Sequence, residues 1–208
     1  MGVAGLFSLE RAASGEPDSA GVLRIGLAAT IAFDVFMVIL VARLTSSKSP
    51  KELMRAIALR SPDLANIWVP ALAVLAMYGF VAGYAGLARS LGPDWIVPRS
   101  TIPDEITADP STLLLAGLLT CVFAPVAEEV FYRGLLTRGL LRWGAYPALV
   151  IPAVTFSAIH LDPGSFVPFV VVGLVIGWLY WRRGSLTDAI VFHLLFNWTS
   201  FVLLVATS

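Results

Sequence analysis

Long apolar stretches that are almost free of charge constrain this chain more than any other feature. They recur along the 208 residues, and each is about 20 residues long, the length that an α-helix needs to cross ~30 Å of hydrocarbon. Only 13% of the residues are charged, against roughly 25% in soluble domains. Fourteen acidic residues balance 14 basic ones, so no basic surface for nucleic acid is expected. The sequence therefore predicts an all-α, polytopic membrane protein.

The apolar segments predict a transmembrane helix bundle of about six spans, with five to seven as the range, around a polar cavity. The predicted spans run from about Val22 to Leu44, Ile67 to Leu87, Ser111 to beyond Glu128, Tyr146 to His160, Phe166 to Trp181, and Leu186 to Val205. Residues 1–20 are mixed in composition and are expected at the protein surface or at the membrane interface. Because no internal repeat divides the chain, residues 1–208 are treated as a single membrane domain.

The distribution of basic residues predicts how the bundle is oriented. The loop 43–60 is basic, through Arg43, Lys48, Lys51, Arg55 and Arg60. If the spans alternate, Arg138, Arg142, Arg182 and Arg183 fall on the same side of the membrane. Cytoplasmic loops carry the excess of lysine and arginine, so this side is expected to be cytoplasmic. Both chain termini are then expected outside.

A few polar side chains fall within the predicted spans: Glu128, Glu129, His160, His193 and Asn197. A charged side chain at bilayer depth costs at least ~2.5 kcal/mol, so it usually has a partner or a task. Asp34 lies in the middle of the first span, and we interpret it as a structural partner for an arginine on another helix. The other residues form a candidate functional site.

Sequence spacing assigns different surroundings to the two glutamates. Glu129 and Arg133 are four positions apart, so they share one helix face and can form an ion pair. Glu128 lies about 100° around the helix from its neighbour and does not face that arginine. We therefore expect Glu129 to be held by Arg133 and Glu128 to be free to act.

The same spacing connects the remaining polar residues. His193 and Asn197 should point the same way from the last span, and the ring of Phe156 should pack beside the imidazole of His160. Glu128 and His160 are equally far along the sequence from a predicted turn at Gly144, so each lies ~24 Å back from it. They are therefore predicted to be level. His193 lies only ~14 Å from its own turn and does not fit this simple hairpin.

Two kinds of chemistry suit such a cluster. A buried carboxylate can act as a general base toward water, and a neutral histidine can orient or deprotonate the same water. A second histidine and an asparagine amide can donate hydrogen bonds to a developing oxyanion. Two histidines and a glutamate also match the ligand set of a zinc hydrolase. Both a metal-free hydrolase and a metal site remain open at this point.

Three motifs now indicate a family. Residues 128–133 match EExxxR, residues 156–160 match FxxxH, and residues 193–197 match HxxxN. In this order on successive apolar segments, they resemble the CPBP intramembrane protease family. That family includes the type II CAAX prenyl endopeptidases and abortive-infection-like bacterial proteins. The resemblance covers about residues 111–205, which are the predicted catalytic, motif-bearing helices.

The resemblance implies an intramembrane endopeptidase of the glutamic type in a bacterial plasma membrane. By analogy, Glu128 and His160 would activate the water, while His193 and Asn197 would form the oxyanion hole. Glu129, Arg133 and Phe156 would support the site. No cofactor is required in this mechanism, although a divalent metal such as zinc stays open as an alternative. The substrate would be a peptide or protein that reaches the site from the membrane or the cytoplasmic side.

Two other functions are compatible with the same residues. The chain could be a non-catalytic membrane protein on this scaffold, such as an immunity or partner-binding factor. It could also be a proton-coupled transporter, because buried glutamate and histidine suit proton relays. The sequence shows no inverted repeat of the kind that many transporters contain, which argues against a transporter.

Overall fold

The computed structural model describes residues 19–98, 106 and 109–207, and this part of the chain is helical, with no β-strand. The helices are α1 (Ser19–Leu44), α2 (Pro50–Ala56), α3 (Trp68–Leu91), α4 (Pro110–Trp143), α5 (Ala145–Ala158), α6 (Phe166–Arg183) and α7 (Leu186–Thr207). The predicted surface segment 1–20 lies almost wholly outside the described residues.

Five of these helices are long and apolar enough to cross a membrane: Ile25–Leu44, Leu64–Leu91, Pro110–Trp143, Phe166–Arg183 and Leu186–Ala206. The predicted all-α, polytopic membrane fold is confirmed, and the protein is an integral membrane protein. The predicted fourth span is present as α5, an apolar helix of 14 residues. At 1.5 Å per residue it is about 21 Å long, which is shorter than the ~30 Å hydrocarbon layer.

The apolar side chains divide between a core and the outer surface of the bundle. Large hydrophobic residues such as Phe36, Leu75 and Val202 are exposed on the spanning helices, where acyl chains can cover them. The core joins residues of most helices, including Val41, Met77, Val130, Phe156, Ile176 and Phe192. The bundle therefore presents apolar side chains both to the lipid and to its core.

Glycines allow two of the closest approaches between segments. A Cβ atom added to Gly173 in α6 would lie 2.8 Å from the Cα of Ala153 in α5. A Cβ atom added to Gly134 in α4 would lie 2.8 Å from the Cβ of Ile57. Small residues at helix contacts let backbones pack closely in membrane proteins. Gly173 has a second use, because its carbonyl oxygen faces the site.

We expect Gly173→Ala to destabilise the protein by about 1–3 kcal/mol, because the added methyl overpacks the contact between α5 and α6. Thermal unfolding in detergent measures this. Gly139→Ala is the matched control, since no atom lies within 4 Å of a Cβ at that position. Equal melting temperatures for the two variants would contradict the expectation.

Helix α4 departs from regular α-helical geometry on both sides of the glutamate pair. It is π-helical over Leu119–Phe123 and again over Val130–Thr137, with a regular segment, Ala124–Glu129, between them. Pro125 lies in the first turn of the regular segment. It has no N–H to donate to the preceding turn, which favours the wider turn before it. π-Helical turns inside α-helices occur frequently at functional sites.

The segment after α2 contacts the junction between α6 and α7. The Leu186 amide donates to the Ala58 carbonyl at 3.0 Å, and the Thr187 hydroxyl donates to the Arg60 carbonyl. Arg183 pairs with Asp63 at 3.3 Å. These contacts bring the basic residues of two loops to one end of the bundle, as the alternating arrangement requires.

Candidate active site

Glu129 and Arg133 form an ion pair in the innermost, buried part of the site. Both side chains are 0% exposed, and the Arg133 Nη1 donates to the Glu129 Oε1 at 2.8 Å. The Nη2 of the same arginine donates to the Gly173 carbonyl of α6 at 3.0 Å. The ion pair predicted from spacing is present, and the guanidinium also ties α4 to α6.

His193 of α7 completes this buried group from a third helix. Its Nδ1 lies 2.8 Å from the same Oε1 of Glu129. A carboxylate that already accepts from Arg133 is ionised and can only accept hydrogen bonds. The Nδ1 of His193 therefore carries the proton and donates, which leaves Nε2 as the acceptor in the neutral ring.

Glu128 lies on the other side of His193 and is the more accessible glutamate. Its Oε2 is 3.8 Å from the Nε2 of His193, and its side chain is 12% exposed. This separation exceeds a direct hydrogen bond, and a bridging water suits contacts of such length. As predicted, Glu129 is bonded to Arg133, and Glu128 is the more accessible of the two glutamates.

His160 is held by its own helix end and by two phenyl rings. Its Nδ1 lies 2.7 Å from the Phe156 carbonyl oxygen, so this nitrogen is the donor. Its ring centroid is 4.8 Å from that of Phe156 and 4.6 Å from that of Phe169. The predicted packing of Phe156 against His160 is present.

Glu128 and His160, which were predicted to lie level, make no direct contact in the described part of the chain. Among the residues that the structure describes, no hydrogen bond or ion pair joins them, and His193 is the histidine paired with Glu128. Both histidines do meet one side chain, because Phe156 also lies 5.8 Å from the His193 ring. Phe156 thus connects the two histidines, while only His193 is paired with Glu128 among the described residues.

The depth of His193, which the simple hairpin left unexplained, follows from unequal helix ends. His193 lies about 10 Å along α7 from Leu186, while Glu129 lies about 21 Å along α4 from Trp143. The hydrogen bond between His193 and Glu129 puts them level. Helix α7 therefore begins deeper in the bundle than α4 ends.

Asn197 lies one turn beyond His193 and contacts a π-helical segment of α4. Its Nδ2 donates to the Thr120 carbonyl at 2.8 Å. The π-helical segment Leu119–Phe123 has an altered backbone hydrogen-bonding pattern. The Asn197 amide supplies a donor to one of its carbonyl groups. An amide nitrogen has two hydrogens, so a second donor is still available.

Sequence reasoning missed or misjudged three positions around this site. Gly173 and Thr120 contribute backbone carbonyls, for which the sequence carries no signal. The interpretation of Asp34 as an arginine partner is wrong for the described part of the chain, where no arginine pairs with it and its Oδ2 is buried without a hydrogen-bond partner.

The residues of the site do not fit a resident metal ion. Within the described ranges, no three side chains of histidine, cysteine, aspartate or glutamate are grouped at metal-ligand spacing. The Nδ1 atoms of both histidines are bonded to Glu129 and to the Phe156 carbonyl, so only their Nε2 atoms could act as ligands.

Comparison with known proteins supports the family suggested by the motifs. The UPF0177 protein YaiF of Lactococcus lactis subsp. lactis (strain IL1403) is 31% identical over 96 residues, which are 44% of this chain and 43% of that protein. The chain thus spans less than half the length of this curated relative. No solved structure matches. Residues 110–199, which contain all three motifs, match the family model described as type II CAAX prenyl endopeptidase Rce1-like, and this match confirms the predicted family resemblance.

Proposed function

We propose that this chain is an intramembrane endopeptidase in which Glu128 activates a water molecule that hydrolyses a peptide bond. The observation that carries the proposal is the connected group Arg133–Glu129–His193, which ends with the Nε2 of His193 3.8 Å from Glu128. The family match over residues 110–199 supports a protease.

The geometry supports a direct route for the proton. A water hydrogen-bonded to both Glu128 and the Nε2 of His193 donates to two acceptors, which turns its oxygen lone pair outward. Its oxygen attacks the scissile carbonyl carbon while Glu128 takes the proton, as a general base does. The C–N bond then breaks, and the proton passes from Glu128 to the leaving nitrogen. Peptide and water thus give a carboxyl group and an amine, with Glu128 restored.

The other polar residues suit supporting roles. With Nδ1–H donating to the Phe156 carbonyl, the free Nε2 of neutral His160 is an acceptor, which suits orienting a water. The second amide hydrogen of Asn197 is a donor for a developing oxyanion. His193 can donate there only as imidazolium, after taking up a second proton. Glu129 and Arg133 fix the ring of His193.

The substrate in this proposal is a peptide or protein segment that enters from the membrane or the cytoplasmic side. The basic end of the bundle faces the cytoplasm of a bacterial cell, and both termini lie outside. The lipid bilayer is the other partner. The family described by the match acts on CAAX prenyl proteins, so a farnesylated CAAX peptide is the first substrate to test, beside unmodified peptides.

His193 and His160 should differ in how much each contributes to kcat. We expect His193→Gln to lower kcat by about 10²–10³-fold, because this ring faces the water site and is fixed by Glu129. His160→Gln should cost less, about tenfold, since it does not contact Glu128. Cleavage rates of purified variants in liposomes measure both effects. A larger loss for His160→Gln than for His193→Gln would contradict this assignment.

Peptide cleavage by the purified protein tests the function as a whole. The protein in liposomes is incubated with farnesylated and unmodified peptides, with and without a metal chelator, and the products are identified by mass spectrometry. We expect cleavage that resists the chelator. Activity that disappears with chelator and returns with zinc would contradict the metal-free mechanism. Intact peptides combined with proton-dependent solute flux would contradict the protease assignment itself.

A further inference from the structure

Tyr78 joins helix α3 to the part of α7 that carries Asn197. Its hydroxyl donates to the Phe196 carbonyl at 2.9 Å, and its ring stacks on the Phe196 ring with the centroids 5.1 Å apart. The Tyr78 oxygen also lies 2.5 Å from the hydroxyl oxygen of Ser200. A tyrosine hydroxyl has a single hydrogen, which goes to the carbonyl, so Ser200 is the donor to Tyr78. These hydrogen bonds all cross from α3 to α7.

The Phe196 carbonyl belongs to the peptide unit that ends at the Cα atom of Asn197. The six atoms of a peptide unit lie in one plane. A hydrogen bond that holds this carbonyl therefore also restrains the atom from which the Asn197 side chain extends. At its other end, the Nδ2 of Asn197 donates to the Thr120 carbonyl of α4 at 2.8 Å. Asn197 is thus held from both ends, by α3 and by α4.

This double restraint determines the direction of the second amide hydrogen of Asn197. A carboxamide group is planar, so a restrained Cα atom and one fixed N–H leave the second N–H little freedom. That hydrogen is the oxyanion donor in the proposed function. A donor is effective when it is preorganised at the position that the oxyanion will occupy, and a misplacement of about 1 Å can cost 10²-fold in rate.

We propose that Tyr78 is a positioning residue that keeps the Asn197 amide directed at the developing oxyanion. Its hydroxyl is bonded to Phe196 and Ser200, so it acts through the backbone of α7. Helix α3 would then contribute to a site whose three motifs lie within residues 110–199, the part that matches the family model. The inference rests on the proposed function for the role of Asn197 as an oxyanion donor.

Nuclear magnetic resonance tests the positioning without any substrate. The chain contains two asparagines, Asn66 and Asn197, so full-length protein with ¹⁵N-labelled asparagine side chains gives two carboxamide signals in detergent micelles. Tyr78→Phe keeps the ring, and we expect it to shift the Asn197 signal and to leave the Asn66 signal unchanged. The control Tyr84→Phe removes another hydroxyl of α3, which donates to the Ile96 carbonyl at 3.3 Å, and should shift neither signal. An Asn197 signal that is the same in Tyr78→Phe and in the parent would overturn the proposal.

A double-mutant cycle on activity provides the second measurement. We expect Tyr78→Phe to lower kcat about five- to tenfold with KM within about twofold of the parent, a smaller loss than the 10²–10³-fold that removal of an oxyanion donor costs. In the Asn197→Ala background there is no amide to position, so Tyr78→Phe should change kcat by less than about twofold. Equal losses in the two backgrounds would show that Tyr78 supports the fold in general, which overturns the proposal.

The carboxamide signals also separate this inference from the proposed function. A parent protein that cleaves no peptide would contradict the proposed function alone, since the Asn197 signal reports the position of the amide without catalysis. If Tyr78→Phe does not fold, Ser200→Ala is the second variant, because Ser200 is exposed and donates to the Tyr78 oxygen. It should shift the same Asn197 signal, and an unchanged signal would overturn the proposal.

Discussion

Glu128→Gln should lower kcat for peptide cleavage by about 10²–10⁴-fold, the usual contribution of a general base. The amide keeps the shape and volume of the carboxyl group but cannot take a proton from water. We expect little change in KM or melting temperature, because within the described ranges Glu128 makes no hydrogen bond that supports the fold and its ionic partner His193 lies 3.8 Å away. Steady-state kinetics on purified protein in liposomes, together with thermal unfolding, measure the effect.

A matched control for this variant is Asp94→Asn, which neutralises an exposed acidic residue between α3 and α4. It should leave both kcat and melting temperature unchanged. If Glu128→Gln kept more than about a tenth of the parent kcat, Glu128 would not be the base. Loss of activity with an equally large loss of thermal stability would indicate a structural role instead.

The parts of the site that the sequence predicted correctly are local in the chain. The Glu129–Arg133 ion pair and the packing of Phe156 on His160 both follow from a spacing of four residues in a helix, which fixes the shared face before any tertiary contact forms. The spans were predictable for a similar reason. Backbone hydrogen bonds must be satisfied inside a helix where there is no water, so apolar length alone indicates the element.

The contacts between helices could not be predicted in the same way. The distances along the helices predicted that Glu128 and His160 lie at the same depth. The direction in which the Glu128 side chain points from α4, however, depends on two π-helical turns that local spacing does not reveal. The pairing of His193 with Glu129 depends on how deep α7 begins, which is set by contacts of Leu186 and Thr187 with the 58–60 backbone. Backbone acceptors such as the Gly173 carbonyl leave no trace in the sequence.

Asp34 illustrates a different limit. A charged residue at mid-span indicates either a structural partner or a functional site, and the sequence contains many arginines that could have paired with it. The packing of α1 against the Glu128 segment is a tertiary contact that the sequence does not reveal. Helix α1 thus contacts the segment that carries the first motif, although all three motifs lie after residue 110.

Arg133→Met should destabilise the protein by about 3–5 kcal/mol, because removing one partner of a buried ion pair leaves the other charge uncompensated. Glu129 would keep only the hydrogen bond to His193, and the Gly173 carbonyl would lose its donor. The guanidinium also lies 5.3 Å from the Phe156 ring centroid, so an aromatic contact is lost as well. Denaturant unfolding in detergent measures the loss, and a low yield of folded protein is expected.

A double variant separates the destabilisation caused by the uncompensated Glu129 charge from the destabilisation caused by the lost contacts of Arg133. If the stranded Glu129 charge dominates, Glu129→Gln combined with Arg133→Met should be more stable than Arg133→Met alone, by about 1–3 kcal/mol of coupling. Arg133→Lys should fall between the parent and Arg133→Met, since an ammonium group keeps the charge but cannot reach both Glu129 and the Gly173 carbonyl as the planar fork does. Arg89→Met is the control, because that arginine is exposed in the last turn of α3. If the double variant were as unstable as Arg133→Met, the guanidinium would act chiefly by joining α4 to α6 rather than by neutralising Glu129.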